Sequence, residues 1–113
     1  MKIHFLYITA SSIDEARTIG KELVSERLAA CVNIINNIQS FYWWEGKIQD
    51  DSEVILIAKT TEELVPELIE KVKALHSYSC PCIVSLPIVD GHKPFLEWVE
   101  GETKGQISNP RCL

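Results

Sequence analysis

A chain of 113 residues, 46% of them apolar, has the length of one domain and enough apolar surface to close a core without staples. Its formal charge is −5, from 16 acidic against 11 basic residues, and no basic run exceeds two residues. A nucleic-acid partner is excluded on that ground, because neutralising phosphates needs a clustered basic face.

The N-terminal stretch MKIHFLYITA is too short in its apolar part to span a membrane and lacks the build of a signal peptide, so a cytoplasmic protein with reduced cysteines is expected. Residues 2–9 concentrate aromatic and β-branched side chains and predict a strand. Ser12 and Glu15 then form a capping box ahead of Ile13, Ala16, Ile19, Gly20, Leu23, Val24 and Leu28, a stripe that predicts an amphipathic helix over 13–28. Strand character returns at 29–38 and runs through Phe41, Tyr42, Trp43 and Trp44 to a turn at Glu45-Gly46. Residues 52–60 are the most continuous apolar run and predict a buried strand.

Thr60 and Glu63 offer a second capping box, followed by a stripe of Leu64, Val65, Leu68, Ile69, Val72 and Leu75. Pro66 falls near the first turn of that helix, where its missing N–H costs least. Pro81 and Pro87 bracket a fourth strand, placed at or near a sheet edge because proline cannot donate to a central ladder. A short helix over 93–103 and a polar tail, 104–113, complete a single domain whose core spans about 2–103.

The order β-α-β-β-α-β predicts an α+β, ferredoxin-like sandwich: a four-stranded antiparallel sheet with two helices on one face. The other face stays bare, and a hairpin over roughly residues 30–60 outreaches ordinary strands. A projecting hairpin with aromatics at its tip needs a partner, and oligomerisation supplies one most economically.

The stretch HSYSCPC (76–82) gathers one histidine and two cysteines in seven residues. One imidazole and two thiolates, from His76, Cys80 and Cys82, would suit Cu(I) or Zn(II). Pro81 takes Cys80 out of helical geometry, so only a turn could bring the three together. The plainer reading puts His76 at a helix end and uses the cysteines as small apolar fillers. Glu53 and Lys59 lie an even number of positions apart and share a strand face, where charge is costly unless paired. Either they pair with a neighbouring chain, or they line a cleft at a subunit boundary with Tyr42, His76 and Trp98. Trp44 and its aromatic neighbours are expected between subunits, Cys31 in the core and Cys112 in the exposed tail. No P-loop, nucleophile elbow or H-E-x-x-H occurs, so no enzyme is expected.

ERLAACVNI, SFYWWEGKI, the spacing from Glu53 to Lys59-Thr60, His76-x-Tyr78-x-x-Pro81 and FLEWV follow one another in an order that resembles the CutA divalent-cation tolerance family, over residues 3 to about 102. The resemblance implies a cytoplasmic homotrimer of ferredoxin-like subunits joined by long hairpins, linked to tolerance and binding of copper or another divalent cation. No enzymatic reaction is implied, and no metal is required for folding. Members proposed to bind copper use the histidine of the H-x-Y motif, sometimes with a second histidine and a cysteine ending the first strand. Here His76 is kept, but Leu75 and Ile8 stand at the other two positions and Ser77 replaces the usual proline. A second functional class is a trimeric regulatory or scaffold module holding a small anion or metabolite in inter-subunit clefts.

Overall fold

The computed structural model describes residues 2–103. Strand β1 (Ile3–Ala10) turns Leu6, Ile8 and Ala10 to one face, where they are fully buried, and Phe5, Tyr7 and Thr9 to the other. Strand β3 (Lys47–Thr61) pairs antiparallel with it, Leu6 opposite Ala58, Ile8 opposite Leu56 and Ala10 opposite Val54. Buried positions of both strands therefore share a face. Strand β4 (Ile83–Pro87) flanks β1 at one edge, as its prolines require, and β2 (Cys31–Trp44) flanks β3 at the other, giving the order β2-β3-β1-β4.

Helices α1 (Ile13–Ser25) and α2 (Val65–Leu75) complete the core with Ala16, Ile19, Leu23, Leu68 and Val72. At Gly20 a Cβ would lie 3.3 Å from Val32 Cγ1, so α1 rides close on β2 because that position carries no side chain. The result is the expected ferredoxin-like arrangement. A third helix, α3 (Lys93–Gly101), lies against β1 and β3 and buries Val99. The tail with Cys112 lies outside the described residues.

Three local expectations change. Helix α1 stops at Ser25 rather than 28, because Arg27 takes a left-handed φ of 58°. Its N–H bonds the Val24 carbonyl (3.0 Å) while the Leu28 N–H reaches back to Leu23 (2.9 Å), closing carbonyls the helix end leaves open. The second capping box does not form. Thr60 pairs with His4 in the ladder, fully buried, and its hydroxyl has no hydrogen-bond partner among the described residues. A 3₁₀ turn over Glu62–Leu64 leads into α2 instead, and no side chain caps either start. Cys31 is half-buried rather than core, since Val32 takes the inward position and Cys31 pairs with Lys59 on the far face.

The hairpin of β2 and β3 turns at Glu45 (φ 50°) and Gly46 (φ 76°), the two left-handed residues of a type I′ turn. Ile35 lies opposite Ile55 but Ile38 opposite Glu53, so β2 holds one extra residue there, absorbed where Asn37 adopts φ 64°. This bulge decides which side chains face where. Below it the even-numbered Val32 and Ile34 pair with the core residues Ala58 and Leu56; beyond it Ile38, Ser40, Tyr42 and Trp44 pair with Glu53, Asp51, Gln49 and Lys47 on the face away from the helices. Phe41, Trp43 and Ile48 take the reverse side of the hairpin and are 70%, 71% and 65% exposed.

Candidate functional site

On the face away from the helices, a cleft of about 690 Å³ opens between the sheet and the turn that follows α2. Tyr7 and Thr9 come from β1, Tyr42 and Trp44 from β2, and Glu53 from β3, with Tyr78 from the turn. Alternation alone places the strand residues there, once the bulge has set the phase of β2.

The turn is held in shape by His76 and Glu15. The His76 side chain is fully buried. Its Nε2 donates to the Thr9 carbonyl at 2.7 Å and its Nδ1 accepts the Tyr78 N–H at 3.0 Å. The two partners fix the tautomer, with the proton on Nε2. Ser12 caps α1 as expected, its hydroxyl accepting the Glu15 N–H at 3.1 Å. The Glu15 carboxylate does not return to Ser12. It accepts from the Ser11 N–H (2.9 Å) and hydroxyl (3.0 Å) and, across the fold, from the Ser77 N–H (2.8 Å). Partial burial pushes this carboxyl up, but the bonds from Ser11 and Ser77 more than offset it and hold its pKa at about 2.

Tyr78, so positioned, donates its hydroxyl to Glu53 Oε2 at 2.7 Å. Glu53 is 8% exposed, and among the described residues this is the one hydrogen bond its carboxylate accepts. Burial and the Glu53 charge push the Tyr78 hydroxyl far above the usual tyrosine range. Further along the hairpin Tyr42 donates to Asp51 at 2.5 Å, a bond that raises its own pKa. Both phenols therefore stay protonated and serve as donors.

Cys80 and Cys82 are free, exposed thiols on the cleft rim. The cleft wall encloses part of Cys82; that enclosure and then the Glu53 charge raise its pKa, against a hydrogen bond with Thr9. The structure brings the two thiols to one cleft but leaves His76 behind its wall, with both ring nitrogens committed to backbone groups. Among the described residues no three of His, Cys, Asp and Glu stand as a metal-holding group. Lys59 does not pair with Glu53 within the chain; its ammonium donates to the Asn33 side chain. Trp98 stacks on Phe95 at 5.7 Å and is not among the cleft-lining residues.

Sequence reasoning passed over the Tyr78 hydroxyl and Asp51. Tyr78 had a signal, two positions past His76, but nothing in the spacing names Glu53 as its acceptor.

A family model described as CutA1 divalent ion tolerance protein matches residues 4–102. The chain is 50% identical to the divalent-cation tolerance protein CutA of Archaeoglobus fulgidus, over 86% of its own length and 94% of that protein's. Among solved structures, it superposes with a TM-score of 0.87 on the Cut A1 divalent cation tolerance protein of Thermus thermophilus, at 48% identity, covering 89% of this chain and 98% of that one. With CutA1 from Oryza sativa the TM-score is 0.90 at 42% identity, covering 92% and 95% of the two chains. Family model, relative and structures agree over nearly the whole described fold: the chain belongs to the CutA1 divalent ion tolerance family.

Proposed function

We propose that this chain serves divalent-cation tolerance as a cytoplasmic homotrimer in which neighbouring copies cover the hairpin. One observation carries the assembly: Phe41, Trp43 and Ile48 are each at least 65% exposed at the end of a hairpin longer than the sheet it leaves. Apolar side chains clustered so on a soluble surface mark an interaction site. Light scattering in dilute, near-physiological buffer should give about three times the 12.8 kDa chain mass. A stable monomer there would sink the assembly. Trp44→Ala should weaken association at least about tenfold, because large aromatics dominate interface energetics, whereas Cys31→Ala should leave it nearly unchanged.

For the metal itself, we propose copper, bound in its monovalent state Cu(I) by the Cys80 and Cys82 thiolates without His76. Soft thiolates select Cu(I), and two sulfurs on one cleft rim suit it better than a buried imidazole with no free lone pair. A raised Cys82 pKa means that binding must release a proton, so affinity should rise with pH through and beyond the ordinary thiol range. Competition of Cu(I) with a chelator checks this, wild type beside Cys80→Ser with Cys82→Ser. Equal uptake by both proteins would reject the thiol pair. A small-anion ligand is the weaker second class, since Glu53 lines the cleft and no Lys, Arg or His is among its described lining residues.

A further inference from the structure

Glu53 poses a problem of charge. A carboxylate with 8% exposure is ordinarily met by cations or several donors, yet a single phenol bonds it here. Glu53 lines an open cleft of about 690 Å³, and its Oε1 has no hydrogen-bond partner among the described residues. Asp51 stands two residues along β3 on the same strand face and adds a second negative charge, bonded by Tyr42. The walls carry the rings of Tyr7, Phe41, Tyr42, Trp44 and Tyr78, and no cationic side chain is among the described lining residues. Aromatic faces carry a negative quadrupole that attracts a cation, more strongly as water is excluded.

We propose that this cleft binds a small organic cation, a primary ammonium or a guanidinium, with Glu53 as counter-charge and the rings of Tyr42, Trp44 and Tyr78 as its walls. The cation supplies the donors that Oε1 lacks. Its alkyl part lies against the rings. Tyr78 orients the carboxylate from behind, and His76 holds Tyr78 through its backbone N–H. The inference goes beyond the trimer and the thiol pair, and it requires that Trp44 keep one ring face toward the cleft where neighbouring copies cover the hairpin.

The test is isothermal titration calorimetry of the full chain with n-butylammonium, n-butanol and butyrate, with a chelator present so that no metal contributes. Butylammonium should bind about tenfold or more tightly than butanol, and butyrate should not bind. Glu53→Gln should erase the preference for the cation over the alcohol, and Tyr78→Phe should weaken it while leaving the order intact. Absence of binding by the wild type, or equal affinity for butylammonium and butanol, overturns the proposal. So does a Glu53→Gln protein that folds and keeps the full preference. Should that variant fail to fold, the ranking of the three probes on wild type decides alone. Light scattering on the same samples reads the assembly separately, so a monomer that binds butylammonium removes the trimer and leaves the cleft.

Discussion

Leu56→Ala is expected to lower the free energy of unfolding by about 2–5 kcal/mol, the range for truncating a fully buried leucine. Leu56 is 0% exposed on β3, opposite Ile8 of β1 on one side and Ile34 of β2 on the other. Gly20 of α1 closes over it, since a Cβ there would lie 3.7 Å from Leu56 Cδ2. Three strands and a helix would thus border the void, and paired strands have little freedom to collapse into it. Urea unfolding at fixed protein concentration measures the change, concentration being held because association adds to apparent stability. Ile13→Ala, at a site 37% exposed, should cost far less. Equal costs at the two sites would show that the core does not centre on β3.

The second large effect is a dependence on pH carried by Glu15. Its folded-state pKa, about 2, lies below the ordinary 4.5, so the stabilisation is present in full above 4.5 and is lost as pH falls toward 2. With its side chain 13% exposed, the contribution is on the order of 1–3 kcal/mol after allowance for solvent screening. Glu15→Gln should therefore be the less stable protein near neutrality, and its deficit should shrink through the acid range. Urea midpoints compared at about pH 7 and about pH 3 test this. A gap that stays constant between them would mean that the Ser11 and Ser77 bonds do not depend on charge. The variant should also loosen the turn carrying Tyr78, because Ser77 would lose its charged acceptor.

Much of this was legible in the sequence, for reasons that are local. Ser12 caps α1 as read, Glu45-Gly46 makes the turn, Pro66 sits in the first turn of α2, and the prolines around β4 place it at an edge. Each rests on backbone chemistry within a few residues. Thr60 was misassigned because a capping motif is also a set of ordinary strand residues, and pairing with His4 wins where β3 continues to Thr61. The end of α1 was missed because the left-handed position is held by arginine rather than glycine. The site was half legible. The Tyr42 side of the hairpin, Glu53 and the His76 turn were all singled out, but their roles depend on contacts across 25 to 67 positions, such as Tyr78 to Glu53 and His76 to Thr9. Only the folded register supplies those.

The extra residue at Asn37 bears on how relatives of this chain are compared. Pairing back from the Glu45-Gly46 turn sets Tyr42 and Trp44 on the face of Glu53, and the bulge lets that phase coexist with Val32 and Ile34 in the core. A relative lacking one residue at 36–37 would need no bulge and would still set the same aromatics opposite the residues matching Gln49 and Lys47, on the same face. An alignment that accepts a one-position gap there rightly counts those aromatics as equivalent, since they meet the same cross-strand neighbours. Identity across residues 41–44 thus carries information about surface chemistry when the spacing to the Glu45-Gly46 turn is kept, whatever the length of the bulged segment before it.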